Sequence, residues 1–465
     1  MRVEPCPRVV VAAPHGRSGK TTVTLGLVAA LVTRGLAVQP FKKGPDYIDP
    51  GWLSLAAGRP CRNLDVYMMG MEGVRESFAM AAAGADIAVV EGAMGLYDGL
   101  DLAGTGSTAE IAKALRCPVV LVVDTTRMTR SVAALVSGFQ GFDPEVKIGG
   151  VILNRVARCR HEDMLRRSVE EYCGLPVLGA LPKGQGYDIP DRHLGLVPAA
   201  ENGELAGRVA AALESIGGFL DLDAIFALAS QAPPGEPRAV PDAGGSPGLF
   251  AAPRRRPRIG VFRDRAFSFY YPENLAALAA IGADLVAVDA LQDPGLPDVD
   301  ALYLGGGFPE VMGAELAANP GLLSAVRAGV EDGLPVYAEC GGLMYLGRGI
   351  TWRGTTYRMC GALPFDVEML EGPQGHGYVE ALVTGANPFF RTGSLLRGHE
   401  FHHSRVVNLD RRRVKTCLQV TRGTGLGGGV DGLVYKNVLA SYTHIHALGV
   451  RDWAPALVTA ARARL

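Results

Sequence analysis

The hydrophobic positions of the chain form short continuous runs, separated by longer stretches with helical periodicity. In the first 215 residues these runs are RVVVAA (8–13), ADIAVVEG (85–92), PVVLVVD (118–124) and GGVILNRV (149–156). Apolar runs with little polar alternation are typical of strands that are buried on both faces, as in a parallel sheet with helical crossovers. This part of the chain is therefore predicted to be an α/β domain with a parallel sheet.

A second series of apolar runs begins after a change in composition. Residues 216–257 include a segment rich in proline, glycine and alanine, which predicts a semi-extended linker. The later runs are PRIGVF (257–262), ADLVAVDA (283–290), DALYLGGG (300–307) and LPVYAECGG (334–342). Because 465 residues are too many for one hydrophobic core, we expect two α/β domains, at 1–215 and 258–465, joined by this linker.

Charge and cysteine content narrow the class of protein. A formal net charge of −1 provides no basic excess for neutralising nucleic-acid phosphates, so we expect no nucleic-acid partner. The eight cysteines are scattered without a CxxC pair, which favours a reducing compartment and argues against structural zinc. The start, MRVEPCPRVVVAAPHG, does not resemble a signal peptide, and no apolar run reaches about 18 residues. A cytoplasmic protein without a membrane partner is expected.

The first run leads into a loop with the chemistry of a phosphate site. VVVAAPHGRSGKTTVTLGLVAAL (9–31) reads as a strand, a glycine-containing loop and a helix. Loop N–H groups and the helix N-terminus would face an anion, Lys20 would reach the β- and γ-phosphates, and the Thr21 hydroxyl would bind Mg²⁺. The strict motif has glycine where this chain has Pro14, and a plain strand–turn–helix is the alternative. The expected nucleotide contacts are Gly16, Ser18, Gly19, Lys20, Thr21 and Thr22.

Carboxylates follow a second run. Glu91 ends the run at 85–92, and Asp98 comes a short loop later. The carboxyl ends of parallel strands lie where an α/β sheet opens its ligand crevice. Glu91 is therefore our main candidate for holding Mg²⁺ opposite Thr21, with capping of the next helix as the alternative.

The segment PFKKGPDYIDPGW (40–52) contains two lysines and two aspartates around a glycine and two prolines. Taken alone it could be a solvated loop. Beside a phosphate site, Lys42 or Lys43 would steady anionic groups and Asp46 would share in metal binding.

A lone thiol stands between a predicted strand and a predicted helix in YAECGG (337–342). One interpretation is packing, since buried cysteine behaves as a small hydrophobe. The other is a nucleophile at a sharp turn, where the small residues Ala338 and Gly342 relieve crowding around Cys340. The N-terminus of the following helix is then expected to lower the pKa of the thiol.

A nucleophilic cysteine also needs a base and an oxyanion site. Gly305 to Gly307 follow a predicted strand and offer backbone N–H groups for an oxyanion. SYTHIH (441–446) contains His444 and His446, whose spacing of two could point both at one site from one face of a strand.

Several long motifs together resemble the cobyrinate a,c-diamide synthase family, of CbiA and CobB type, over essentially the whole chain. They are FKKGPDYIDPG, VEGAMGLYDG, GSTAEIAKAL, GVILNRV, DIPDRHLGL, DRAFSFYYPENL, YLGGGFPE, YAECGGLMYL, GHEFHHS and SYTHIH. The resemblance implies a P-loop domain like that of dethiobiotin synthetase, followed by a class I glutamine amidotransferase domain. It implies amidation of the a and c acetate side chains of cobyrinate or hydrogenobyrinate in cobalamin biosynthesis, with ATP, Mg²⁺ and glutamine.

The resemblance also implies roles for residues of the thiol site. Cys340 matches the residue that attacks glutamine, His444 matches the histidine that activates it, and His446 is the second choice for that base. The acid of other class I amidotransferases is replaced in this family, which leaves His444 without a carboxylate partner. For the oxyanion we expect the N–H groups of Gly306, Gly307 and Gly341.

In the first domain the resemblance matches Lys20 and Thr21 to residues of the ATP loop and Glu91 to a Mg²⁺ ligand. It matches Asp46, Tyr47 and Asp98 to positions at the tetrapyrrole and ATP sites. Together with the reasoning from the residues, this gives two sets of expected contacts. The metal ligands are expected to be Thr21, Asp46 and Glu91. The expected contacts with the tetrapyrrole and ATP are Lys42, Asp46, Tyr47 and Asp98.

Two departures from the family pattern leave the macrocycle open. Arg17 stands in the phosphate loop, and Trp52-Leu53 replaces an aromatic residue and histidine. Amidation of siroheme, as by DsrN-type relatives, or of nickel-sirohydrochlorin is therefore the first alternative. A ParA-like nucleotide switch is a remote one, since it would not explain the thiol domain. We expect glutamine and a tetrapyrrole carboxylate as partners and allow for a homodimer.

Overall fold

The structure is a computed structural model that describes residues 6–184, 191–192, 195–196, 213, 215–233 and 255–465. These residues fall into two compact units. The first contains residues 6–66 and 70–233, and the second contains residues 67–69 and 255–465. No helix among the described residues has the length and apolar character that crossing a membrane requires.

The first unit is built on a parallel sheet. Its strands are β1 (Arg8–Ala12), β2 (Val38–Lys43), β3 (Arg62–Leu64), β4 (Ile87–Glu91), β5 (Val119–Asp124), β6 (Ile148–Val156) and β7 (Val177–Pro182), in the order β3-β2-β4-β1-β5-β6-β7. Every neighbouring pair is parallel. The short strands β8 (Asp191–Arg192) and β9 (Gly195–Leu196) pair separately. The apolar runs therefore became buried strands, as predicted.

Helices connect these strands and pack on the sheet. They are α1 (Lys20–Thr33), α2 (Ile48–Ala57), α3 (Val66–Ala82), α4 (Thr108–Ala114), α5 (Ser131–Phe142), α6 (Cys159–Cys173) and α7 (Leu222–Ala229), with a 3₁₀ turn at Gly217–Phe219. α7 lies within the predicted linker 216–257, yet its Ile225 is fully buried in the core of the first unit. The first unit thus extends beyond residue 215, whereas residues 234–254 of the predicted linker lie outside the described residues.

The second unit contains a mixed sheet. Its strands are β10 (Arg258–Phe262), β12 (Asp284–Val288), β13 (Ala301–Leu304), β15 (Val336–Glu339), β19 (Gly375–Val383), β20 (Leu395–His402), β22 (Lys415–Arg422), β23 (Val430–Tyr435), β24 (Val438–Ser441) and β25 (His444–Ile445). Their order is β12-β10-β13-β15-β24-β23-β22-β19-β20-β25. The part from β12 to β24 is parallel and the remainder is antiparallel.

Smaller elements complete the second unit. β11 (Phe267–Phe269) pairs with β14 (Gly306–Gly307), and a separate sheet contains β16 (Gly349–Trp352), β17 (Thr355–Arg358), β18 (Asp366–Met369) and β21 (Ser404–Val407). The helices are α8 (Pro272–Ala280), α9 (Gly313–Ala317), α10 (Pro320–Glu331), α11 (Gly341–Leu346) and α12 (Trp453–Arg462). The four apolar runs predicted after the linker correspond to β10, β12, β13 and β15, and β15 ends one residue before the thiol.

The first turn of α11 requires a glycine at position 342. A Cβ at Gly342 would lie 2.5 Å from the Leu304 carbonyl oxygen, which is main chain and cannot swing away. Gly342→Ala should therefore destabilise the second unit by about 1–3 kcal/mol, because the turn must shift. Calorimetric unfolding of the full chain would measure this. The matched control is Gly295→Ala, where a Cβ meets nothing within 4 Å. Equal midpoints for the two variants would contradict the prediction.

Candidate functional site

A hydrogen bond from a residue near the end of β6 anchors the loop between β1 and α1. The Asn154 side-chain amide donates to the Ser18 carbonyl at 2.9 Å. Gly19 has a φ of 87°, and a Cβ there would lie 2.2 Å from Asn154 Nδ2, so only glycine fits. Arg17, with a φ of 60°, also lies in the left-handed region, and its side chain is exposed. The sequence did not indicate Asn154, because its role depends on where β6 ends.

Lys20, Thr21 and Thr22 form the first turn of α1 directly after this loop, and Gly16 lies within the loop. The Lys20 ammonium donates to the Met94 carbonyl at 2.6 Å and to the His15 carbonyl at 3.2 Å. Burial, with the nearby Lys42 charge, lowers the pKa of Lys20 to about 8. The structure thus places a buried lysine at the base of a glycine-containing loop.

A cluster of opposite charges lies beside Thr21. The Thr21 hydroxyl donates to Glu91 Oε1 at 2.7 Å, and the Lys42 ammonium lies 2.7 Å from the same oxygen. Lys42 also lies 2.5 Å from Asp49 Oδ2 and 3.9 Å from Asp46 Oδ2. The structure therefore brings together the predicted Thr21, Lys42, Asp46 and Glu91. It adds Asp49, which the sequence analysis missed although it stands in the same motif.

Burial strongly perturbs the acids of this cluster. Burial, followed by the Asp49 charge, raises the pKa of Asp46 to about 7. Burial likewise raises the pKa of Glu91, against the opposing effect of Lys42. Glu91 Oε2 is buried and has no hydrogen-bond partner among the described residues. Oxygen ligands that converge in this way fit a hard divalent cation, although no group of three or more His, Cys, Asp or Glu in the described chain forms a ready metal site.

The remaining predicted contacts lie at the edges of this site. Tyr47 immediately precedes α2, and the Asp46 carboxylate accepts the Ile48 N–H at 2.8 Å. Asp98 is exposed and accepts the Gly95 N–H at 2.8 Å, which stabilises the loop after β4. Lys43 follows Lys42 at the end of β2, and burial lowers its pKa.

In the second unit, Cys340 has the backbone of a sharp turn, with φ 48° and ψ −100°. Non-glycine residues rarely adopt positive φ, and such strain is concentrated at functional sites. The Cys340 N–H donates to the Ser441 carbonyl at 2.8 Å, which anchors the turn to β24. The side chain is buried, and α11 begins at the next residue.

The glycine strip at β14 lies against this turn. A Cβ at Gly341 would lie 3.0 Å from the Gly307 nitrogen, so the two glycines are in close contact. The Gly305 N–H donates to the Tyr270 hydroxyl at 2.7 Å, so the expectation of an available donor at Gly305 is wrong. Gly306, Gly307 and Gly341 remain the candidate oxyanion donors.

His444 faces the same strip. A Cβ at Gly306 would lie 2.6 Å from His444 Cε1 and 3.3 Å from Nε2. The other ring nitrogen, Nδ1, lies 3.6 Å from Glu339 Oε2, and both side chains are buried. The expectation that His444 lacks a carboxylate neighbour is therefore wrong. Glu339 directly precedes the thiol in YAECGG, but the sequence did not indicate that its side chain lies beside His444.

His446 has a different environment. Its Nδ1 accepts the Leu448 N–H at 3.2 Å, and its Nε2 lies 3.5 Å from Glu273 Oε2. Both ring nitrogens therefore face structural neighbours. These contacts favour His444 over His446 as the base.

The thiol itself differs from the sequence-based expectation. Burial, with the neighbouring Glu310 carboxylate, raises the pKa of Cys340, and the Gly341 N–H only partly opposes this. α11 contains six residues, so its N-terminus does not offset the loss of water. The expected lowering of the thiol pKa is thus wrong for the free protein.

Comparison with known proteins bears on both sites. Residues 9–197 match the family model of the CobQ/CobB/MinD/ParA nucleotide binding domain. Residues 258–451 match that of the CobB/CobQ-like glutamine amidotransferase domain. The phosphate loop lies in the first match, and Cys340 and His444 lie in the second.

Curated relatives match almost the whole chain. A cobyrinate a,c-diamide synthase of Magnetococcus marinus is 48% identical, with 97% of this chain and 96% of that protein covered. The enzyme of the same name from Methanosarcina acetivorans is 42% identical, with 98% and 95% covered. A hydrogenobyrinate a,c-diamide synthase of Streptomyces coelicolor is 44% identical, with 95% and 94% covered.

The raised pKa of Cys340 predicts its reactivity in the free protein. The thiolate fraction is small near neutral pH and grows as pH rises, so the rate of alkylation by iodoacetamide should still increase above pH 9. Peptide mass spectrometry over a pH series would measure this rate, with the exposed Cys159 as an internal reference. A rate that levels off below pH 8 would contradict the prediction.

Proposed function

Because the chain belongs to the cobyrinate a,c-diamide synthase family, we propose that it uses ATP and glutamine to amidate the a and c acetate side chains of cobyrinate or hydrogenobyrinate. It is thus a glutamine-hydrolysing carbon–nitrogen ligase. The observation that carries the proposal is the full-length match to relatives with these two names. The strained Cys340 turn and the closeness of both Gly341 and His444 to Gly306 support the same conclusion.

The second unit would release ammonia from glutamine. His444 Nε2 takes the Cys340 proton as the sulfur attacks the side-chain amide carbon. The N–H groups of Gly306, Gly307 and Gly341 stabilise the oxyanion of the tetrahedral intermediate. Its collapse breaks the carbon–nitrogen bond, and the leaving nitrogen takes the proton from His444. Water then hydrolyses the thioester to glutamate.

The first unit would activate the acetate carboxylate. A carboxylate is a poor electrophile, so ATP first converts it to an acyl phosphate, which ammonia attacks with release of phosphate. The loop over Gly16, Ser18 and Gly19 holds the phosphates, and Lys20 neutralises charge that develops during transfer. Thr22 lies in the same first helical turn. Phosphate binding favours the charged form of Lys20, whose pKa burial has lowered.

Mg²⁺ fits the cluster at the end of β4. Thr21, Asp46 and Glu91 would hold it, and Asp49 adds a further carboxylate to that set. When bound, the ion neutralises phosphate charge. Lys42 pairs with Glu91 and Asp49 in the free protein, so a positive charge already lies beside these acids. Tyr47 and Asp98 remain the proposed contacts of the tetrapyrrole at the rim of this site.

The proposed substrate macrocycle is cobyrinate or hydrogenobyrinate. The relatives named above act, by their names, on cobyrinate or hydrogenobyrinate, and no observation on this chain favours siroheme or nickel-sirohydrochlorin. Glutamine-dependent ATP hydrolysis against a panel of these tetrapyrroles, with product mass, tests the choice and counts the amides formed. A nucleotide switch would leave the amidotransferase domain without a role.

The cellular setting is also part of the proposal. None of the eight cysteines, all within the described chain, forms a disulfide, which fits a cytoplasmic enzyme. We expect no nucleic-acid partner, and light scattering would measure whether the enzyme is a homodimer.

The division of labour between the units predicts the behaviour of Cys340→Ala. Glutamine-driven amidation should fall by at least about 10³-fold, whereas amidation driven by ammonium should stay within about twofold of the parent. Product mass spectrometry with each nitrogen source measures both rates. Loss of both activities in a folded variant would refute the proposed division.

Glu91→Gln tests the proposed cation site. It should raise the Mg²⁺ concentration needed for half-maximal binding of a fluorescent ATP analogue by about 10–100-fold. The matched control is Asp124→Asn at the end of β5, where the carboxylate pairs with Arg155 at 2.6 Å outside the cluster. Equal Mg²⁺ requirements for both variants would remove Glu91 from the ligand set.

A further inference from the structure

Glu339 is a buried acid beside His444 that has no role in the glutaminase steps proposed above. It is fully buried, and its Oε2 lies 3.6 Å from Nδ1 of His444, which is itself only 2% exposed. The other edge of the His444 ring faces Gly306 in the oxyanion strip. The imidazole thus has a carboxylate near Nδ1, and its Cε1–Nε2 edge lies against a glycine proposed to bind the oxyanion.

Neutral groups hold the Glu339 carboxylate in place. Oε2 accepts the Tyr303 hydroxyl at 3.1 Å, while Oε1 accepts the Tyr337 hydroxyl and the Ile445 N–H, each at 3.1 Å. Burial, reinforced by the Glu339 charge, raises the pKa of both tyrosines well above the usual range, so both are neutral donors. These three contacts fix both oxygens of the carboxylate.

No lysine or arginine in the described chain forms an ion pair with Glu339. A buried carboxylate without a positive partner is costly. Among the groups that touch it, His444 can become positive, when it accepts a proton at Nε2. A positive charge that arises on His444 while the thiol attacks would therefore lie 3.6 Å from this carboxylate.

We propose that Glu339 is the positioning carboxylate of the amidotransferase site, and that it orients His444 and stabilises its charged form. This inference rests on the proposed glutaminase chemistry. The proton passes from Cys340 Sγ to His444 Nε2 and then to the leaving ammonia, while Glu339 takes no part in the transfer. The proposed acid is thus the residue directly before the nucleophile in the sequence.

The competing acid is Glu273, which would act through His446. Its Oε2 lies 3.5 Å from His446 Nε2. The Leu448 N–H donates to the other nitrogen of His446, so this pair is tied to the turn that follows β25. Glu273 and Glu339 are both buried acids beside a histidine, which makes Glu273→Gln a matched control.

The test compares Glu339→Gln with Glu273→Gln in the full-length enzyme. The single oxygen of glutamine can still accept from Tyr337 and the Ile445 N–H, while its amide nitrogen would face the Tyr303 hydroxyl. The side chain carries no charge to stabilise an imidazolium. Glu339→Gln should lower kcat for glutamine hydrolysis by about 10²–10⁴-fold, with KM for glutamine and ammonium-driven amidation within about threefold of the parent. Glu273→Gln should lower kcat by less than about tenfold.

Different outcomes test the role of Glu339 and the proposed glutaminase function. Glu339→Gln with at least half of the parent glutaminase rate would overturn the inference. So would a larger loss in Glu273→Gln, or an equal loss of ammonium-driven amidation, which would indicate a general structural defect. Absence of glutaminase activity in the parent enzyme would instead refute the proposed function. Glu339→Asp should recover part of the lost kcat, because it restores the charge.

Discussion

The register of β15 between β13 and β24 determines the geometry of the thiol site. β15 pairs in parallel with both neighbours, and the Cys340 N–H extends that pairing by one bond to the Ser441 carbonyl. A non-glycine residue at φ 48° costs on the order of 1–3 kcal/mol, so the turn persists only while its surroundings hold it. His444 lies three residues after Ser441. The hydrogen bond between Cys340 and Ser441 therefore also anchors the segment that carries the proposed base.

Both units use a buried glutamate at the carboxyl end of a parallel strand. Glu91 ends β4 beside Thr21 and Lys42, and Glu339 ends β15 beside His444. The first has an ammonium as partner, whereas the second has hydroxyl and amide donors. In each case the low-dielectric surroundings strengthen the interaction of the acid with whatever positive charge arrives.

The sequence predicted the strands well, because continuous apolar runs leave few alternatives to a buried parallel strand. It also located the phosphate loop and the thiol, since each lies directly after such a run. Asp49 was missed because its meeting with Lys42 depends on the start of α2. The predicted lowering of the Cys340 pKa was wrong because burial depends on the fold of the whole domain. The six-residue α11 does little to offset the effect of burial on this pKa. The direction of Glu339 depends on where β25 returns to the sheet, which no local pattern specifies.

Glu339 and Cys340 are joined by a single peptide bond, and this has a consequence for how the site can vary. In a site whose acid and nucleophile come from distant segments, a loop movement can separate them and abolish activity. Here any displacement of the strand end carries both groups together, whereas the imidazole and the glycines of β14 belong to other segments and can lose their alignment with the thiol. Small structural shifts in the chain that follows β24 would therefore move the imidazole relative to both groups, while Glu339 and Cys340 stay adjacent.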